Sequence, residues 1–316
     1  MAQRRRMKST HRKKSRAAMI SVLSNATLVA LKIVVGVYIG SVSVISEAIH
    51  SGVDLLAAAI AYLAVRTSGR PPDRKHPFGH GKFENISGTV EALLIFLAAA
   101  WIVRESVQKL RHPEPIGVAA LGVGIMLLSA AVNVIVSRML FRVARETDSV
   151  ALEADAWHLR TDVYTSVGVM AGLGIIWIGG IYFPTVELGW VDPVAAIGVA
   201  VLIIKAALDL TLKSARDLLD VSLPSEEESI IRRQISEHAP NIRGVRRLRT
   251  RKAGSTRFVE LTILVDSEMT VGESHCIADV ITQAIQERYQ GVIVTIHIEP
   301  WKPHGSRRGS GSPERE

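Results

Sequence analysis

Among 316 residues there is a single cysteine, Cys276. No internal disulfide can form, and no thiolate cluster can hold a metal. Any metal site must therefore draw on His and carboxylates. Aromatic residues are scarce as well, at 5%. None falls in the basic head MAQRRRMKSTHRKKSR, which carries eight Lys or Arg. A basic arm with no ring to stack on bases reads poorly as a nucleic-acid partner. The sequence lacks His-Glu-x-x-His, the signature of a common class of zinc hydrolases. The first apolar stretch runs past 20 residues without an evident small-residue cleavage site, so it does not read as a secretory signal.

What the chain has instead is apolar surface in blocks. Hydrophobic residues make up 48% and charged residues 22%, with a mean hydropathy of +0.24. The net charge is +8. A membrane span needs about 20 apolar residues. Six stretches qualify: 17–40, 43–66, 86–110, 116–138, 149–180 and 191–213. Gly, Pro or charge breaks them, as in Arg70-Pro71-Pro72-Asp73 and His112-Pro113-Glu114-Pro115. The expected architecture is an α-helical membrane protein with six transmembrane helices, spanning residues 17–220 behind a basic segment 1–16.

Lys and Arg in the connections set the orientation. The head is basic, and the connection after the second stretch carries Arg66, Arg70, Arg74, Lys75 and Lys82. The connection after the fourth carries Arg138, Arg142 and Arg145, whereas 40–43 and 181–190 carry none. Both termini are expected in the cytoplasm. Arg104, Lys109 and Arg111 run against this pattern and are read as helix-end residues that snorkel.

After Asp220 the pattern changes. Ser225 and Glu228 have the spacing of a capping box. An amphipathic helix to about 238, a strand near 244–252 and a second strand over 256–266 follow. Val259, Leu261, Ile263 and Val265 alternate on one face of that second strand. A helix over 272–288 carries the stripe Ile277, Val280, Ile281, Ala284 and Ile285. A last strand runs from Val292 to Glu299. The order αββαβ predicts a small α+β domain over 221–301, with a disordered tail over 302–316.

Two of the membrane stretches repeat one motif. The second holds His50-x-x-x-Asp54 and the fifth holds His158-x-x-x-Asp162. A spacing of four puts both side chains on one helix face, one turn apart. Two such faces offer two imidazoles and two carboxylates, a set suited to tetrahedral Zn2+. Placing ionisable groups in mid-membrane costs roughly 2.5–3.5 kcal/mol each even on the lenient scale. Four of them at one repeated spacing point to a bound cation. Glu47, Glu153, Asp155 and Arg160 lie nearby, either as partners of the ligands or at helix ends. The connection over 67–82 adds Asp73, His76 and His80, which can converge on a cation or simply face water. In the soluble domain His297 and Glu299 share a strand face, and His275 starts the preceding helix. Metal binding and plain surface exposure both remain open for those three.

Taken together, these motifs resemble the cation diffusion facilitator family of divalent metal transporters, over about residues 17–301. The paired His-x-x-x-Asp motifs and His76-Pro-Phe-Gly-His80-Gly-Lys82 carry the resemblance. It implies cytoplasmic termini, a cytoplasmic αββαβ domain and a homodimer. It assigns the transport site to His50, Asp54, His158 and Asp162, and a loop site to Asp73, His76 and His80. It maps a regulatory site onto His275, His297 and Glu299, but two further positions that carry His in a bacterial relative read as Arg246 and Thr262 here. The two-His, two-Asp set resembles the zinc-preferring group. Zinc is then the transported substrate and a regulatory ligand, with no separate cofactor and no enzymatic activity expected.

His and Asp bind metal only when deprotonated, so protons compete for the same atoms. The expected activity is zinc export by proton-coupled antiport with alternating access. The compact chain and single cysteine suggest a prokaryotic plasma membrane. The alternatives are a metal-sensing receptor or channel without active transport, a membrane metalloenzyme, or manganese, iron or cobalt as the main substrate.

Overall fold

The structure is a computed structural model that describes residues 2–39, 42–111, 120–164, 167, 190–289 and 291–302. Parts of the expected stretches at 116–119 and 165–180, most of the 181–190 connection, the Pro113–Pro115 break and the tail from 303 lie outside these. The chain divides into two compact units, one of Met1–Leu219 with Ala253–Ser255, the other of Asp220–Lys252 with Thr256–Glu316.

The first unit is helical. Its helices are α1 (Ala2–Ile39), α2 (Val42–Ser68), α3 (Lys82–Arg111) and α4 (Ala120–Thr147). A fifth helix, α5, covers residues 150–164, and α6 covers Val191–Leu218. Each expected stretch coincides with helix wherever the structure describes it, except that the fifth begins at residue 150 rather than 149. Among the described residues, Ser9–Tyr38, Lys82–Gln108 and Leu127–Thr147 are each long and apolar enough to cross a membrane.

Helix α5 lies at the centre of this unit. On one side Ala151, Leu152, Ala156 and Leu159 pack with Ala17 and Ala18 of α1, Val65 of α2 and Leu140 and Ala144 of α4. On the other, Val150 and Ala154 pack with Ala92, Ile95 and Ala99 of α3 and Ile203 and Ala207 of α6. Alanine at so many contacts lets helix backbones approach closely, which is how helices associate where water supplies no driving force. Gly88 of α3 shows how tight the fit is. A Cβ there would lie 2.8 Å from Ser214 Oγ and 2.9 Å from Val150 Cγ1. Packed on both sides, α5 buries Asp155, His158 and Thr161.

Helix α1 extends through the basic head rather than starting at residue 17. Lys14 is 3% exposed, and its Nζ lies 2.7 Å from Glu84 Oε1. Ser68 also donates to Glu84 Oε1, at 2.7 Å, and Ser149 donates to Oε2. One carboxylate thus ties α1, the end of α2, the start of α3 and the residue before α5. Within the basic head, Lys14 is thus a buried structural cation.

The second unit has helix α7 (Ser225–His238), strands β1 (Gly244–Ala253) and β2 (Thr256–Val265), helix α8 (Val271–Arg288) and strand β3 (Ile293–Pro300). The sheet order is β1-β2-β3. Strands β2 and β3 are parallel, with Leu261 opposite Ile296 and Ile263 opposite Ile298. A parallel pair needs a crossover, and α8 supplies it. Val259, Leu261, Ile263 and Val265 meet Ile231, Ile235, Ile281 and Ile285 in one core. Ile281, Ala284 and Ile285 of the expected stripe are buried, but Val280 is exposed.

The capping box expected at Ser225 and Glu228 does not form. The helix starts one residue earlier than the box requires: Pro224 occupies the N-cap position of α7, with neither a side-chain oxygen nor an N–H to offer, and Ser225 and Glu228 fall inside the helix. Glu228 accepts from Thr250 Oγ1 at 2.6 Å instead. The capping box of this unit sits on α8. Glu273 N donates to Thr270 Oγ1 and Thr270 N donates to Glu273 Oε2, at 3.2 and 2.9 Å. The bond from the Thr270 backbone foremost, and then the one that Thr270 Oγ1 donates to Glu273 Oε2 at 2.8 Å, hold the Glu273 carboxyl below its ordinary range.

Candidate metal centres

Asp54 comes from α2, and His158 and Asp162 come from α5. His158 Nε2 lies 2.9 Å from Asp54 Oδ1. One ligand atom from each of Asp54, His158 and Asp162 lies within 4.8 Å of the others, as a cation would require. Asp54 and His158 are each 6% exposed. Two carboxylates, one buried and one half-buried, beside one imidazole are a donor set that suits a divalent cation. His50 lies one turn before Asp54 on α2, but its side chain is outside what the structure describes.

Asn133 of α4 donates to Asp162 Oδ2 at 3.5 Å and is largely buried. The sequence reading missed it, although an Asn in an apolar stretch was the available signal. The neighbouring candidates divide. Glu153 pairs with Lys213 of α6 at 2.5 Å, away from the ligands. The guanidinium of Arg160 sits over Phe141, 5.7 Å from the ring centre. Asp155 is fully buried, and neither of its carboxylate oxygens has a hydrogen-bond partner.

The connection between α2 and α3 forms a second cluster. Asp73 Oδ1 lies 3.3 Å from His76 Nδ1, and Asp73 Oδ2 lies 3.3 Å from His80 Nε2. The two imidazole centres are 4.4 Å apart. The loop geometry is local. Lys75 N and His76 N both donate to Asp73 Oδ1, at 2.9 and 2.7 Å. Gly79 adopts φ +89°, a left-handed conformation that glycine takes without a Cβ penalty, and it turns the chain so that His80 comes back over Asp73. His80 is buried, and its Nδ1 has no partner. The bond from the His76 backbone, ahead of other causes, holds the Asp73 carboxyl below its ordinary range.

These features carry a prediction. Asp73→Asn should remove one bound zinc per chain by titration calorimetry while leaving the buried site occupied. In the unaltered loop, zinc affinity should fall as pH is lowered, because protons displace metal from imidazole nitrogen. Asp73 stays ionised over that range and should contribute little to the pH dependence. A zinc count unchanged by Asp73→Asn would remove the loop from the metal sites.

The third expected cluster does not assemble. His275 Nδ1 faces Asp279 Oδ2 at 3.2 Å, on its own helix. His297 and Glu299 lie 3.6 Å apart on β3, but Glu299 Oε2 accepts from Arg246 at 2.8 Å. His297 stands opposite Thr262 across the sheet. A guanidinium pairs with the carboxylate that the expected site would need for metal.

Comparison with known proteins agrees with this architecture. Residues 18–219 match the cation efflux transmembrane domain, and residues 223–301 match the cation efflux protein cytoplasmic domain. A protein of Synechocystis sp. described as an uncharacterized transporter, sll1263, is 35% identical over 90% of this chain and 89% of its own length. The cation-efflux pump FieF of Klebsiella pneumoniae subsp. pneumoniae is 33% identical over 90% of this chain and 92% of its own. The metal-bound C-terminal domain of the CzcD transporter from Thermotoga maritima is 30% identical, covering 25% of this chain and 94% of that one. Its TM-score is 0.22, too low to bear on the fold. With both domains matched in order, and relatives aligned over nearly their full length, the chain is an integral membrane protein that belongs to the cation diffusion facilitator family of cation-efflux transporters.

Proposed function

We propose that this protein exports a divalent metal cation, zinc foremost, from the cytoplasm by exchange with protons. The observation that carries this reading is the convergence of Asp54, His158 and Asp162 within 4.8 Å inside the helical unit. His50, on the α2 face that carries Asp54, completes the set as its fourth ligand. Imidazole nitrogen favours Zn2+, Co2+ and Fe2+ over Mg2+ and Ca2+. The carboxylates balance the charge of the dication.

Metal and protons bind the same atoms, so their occupancy is exclusive. A site open to the cytoplasm, where protons are scarce, loads metal. The same site open to a more acidic exterior takes protons and releases it. Exchange of this kind needs the helices to expose the site alternately. Both termini lie on the cytoplasmic side in this reading, the membrane is a prokaryotic plasma membrane, and the working unit is a homodimer. The matched cytoplasmic domain and the alternation of basic connections support these points.

The test is metal-by-metal uptake into sealed vesicles, with and without an imposed pH gradient. Zinc should accumulate against its own gradient when the compartment it enters is acidic, and collapsing the gradient should stop accumulation. Zinc flux that ignores the pH gradient would reject proton exchange. Tight binding without flux would favour a metal sensor.

A further inference from the structure

One further polar side chain stands against the Asp54–His158–Asp162 cluster. Asn133 of α4 is 9% exposed. Its Nδ2 lies 3.5 Å from Asp162 Oδ2, at the outer limit of an N–H···O bond. Its Oδ1 is buried and has no hydrogen-bond partner among the described residues. The amide therefore sits beside a ligand with its acceptor unused. The two ends of an amide are only about 2.3 Å apart, so Oδ1 is within about 6 Å of Asp162 Oδ2.

Ser129, one turn earlier on α4, repeats the pattern. It is buried, and its Oγ has no partner among the described residues. A spacing of four sets both residues on one face of α4. Burying a polar atom without a partner costs about 1–3 kcal/mol. In a membrane segment no bulk water relieves that cost. An apolar residue would avoid it, as Val132 and Val136 do in the adjoining cluster. A carbonyl oxygen kept there, beside two carboxylates and an imidazole, is poised to take a cation.

Zinc has little use for it. Four ligands satisfy Zn2+, and His50, Asp54, His158 and Asp162 are four. Mn2+ takes more donors and favours carboxylate and carbonyl oxygen. We propose that Asn133 is a specificity-determining residue of the transport site, whose Oδ1 serves as an added ligand for Mn2+ and so widens the range of cations carried. This rests on the transport reading above and deepens it. A neutral oxygen adds a donor without adding charge, so the charge balance between metal and protons is left unchanged.

The test uses full-length purified protein carrying Asp73→Ala and His80→Ala, which silence the loop cluster, with Zn2+ and Mn2+ as probes. Zinc affinity is read by titration calorimetry, and Mn2+ affinity by the electron paramagnetic resonance signal of the free ion. Asn133→Leu removes the amide at nearly the same size. It should weaken Mn2+ binding about tenfold or more and leave zinc affinity close to its starting value. Equal losses for both metals would overturn the proposal, since the amide would then only steady Asp162. So would Mn2+ affinity that Asn133→Leu leaves unchanged, or no Mn2+ binding with Asn133 intact. Asn133→Asp keeps an oxygen at the position and decides the matter even where the leucine variant does not fold. It should hold Mn2+ at least as tightly, and a loss of Mn2+ would overturn the ligand role. If the unaltered protein moves no zinc in vesicles, the transport reading fails, while the two affinities still decide the role of Asn133.

Discussion

Replacing Asp54 or Asp162 with alanine is expected to abolish zinc transport while leaving the protein folded. Asp54 Oδ1 lies 2.9 Å from His158 Nε2, and in the proposed transport site each aspartate would supply one of the negative charges that balance the dication. Losing a group that merely supports a metal ligand already costs about 10–100-fold in affinity. Losing a ligand itself, in a buried site, should cost at least the upper end of that range. Uptake of radioactive zinc into vesicles measures the loss. Size-exclusion profiles and thermal unfolding show that the variants fold. Either aspartate variant that still transports at the normal rate would take that residue out of the site.

The second large effect belongs to stability. Lys14→Met leaves Glu84 buried with the hydroxyls of Ser68 and Ser149 as its hydrogen-bond donors among the described residues. Both partners of this ion pair are under 5% exposed at the side chain. Removing one member of a buried pair costs about 3–5 kcal/mol, because the other is stranded in a low-dielectric surrounding. Replacing both partners removes the stranded charge. Lys14→Met with Glu84→Gln should therefore recover much of the loss. Thermal unfolding of the purified protein in one detergent compares the variants. If Lys14→Met alone unfolds no earlier than the unaltered chain, the pair is not a structural tie.

What the sequence disclosed followed from periodicity and composition. Val259, Leu261, Ile263 and Val265 alternate because one sheet face is buried, so the strand and its core were legible together. His158-x-x-x-Asp162 was legible because ionisable groups in an apolar helix are rare and expensive. The loop site was legible only as a composition, since its geometry depends on Gly79 and on two backbone N–H groups that hold Asp73.

Other features depended on contacts between distant segments. Lys14 resembles its basic neighbours in sequence, and only Glu84, seventy residues away, makes it structural. Glu91 of α3 looks like an ordinary charge interrupting an apolar helix, and only the folded unit shows it fully buried. The pairing of Arg246 with Glu299 joins residues 53 apart, so spacing could not show that a cation already sits on that carboxylate. Ser225 and Glu228 failed as a capping box for a local reason: the helix begins one residue earlier, with Pro224 at its N-cap.

Everything rests on one dication held by side chains of α2 and α5. Zinc X-ray absorption on the purified protein carrying Asp73→Ala and His80→Ala, which disable the loop site, tests this most directly. One zinc per chain should remain, surrounded by four nitrogen and oxygen atoms at about 2.0–2.2 Å with imidazole scattering, and Asp54→Ala should abolish it. A spectrum without imidazole, or one that Asp54→Ala leaves unchanged, would contradict the account.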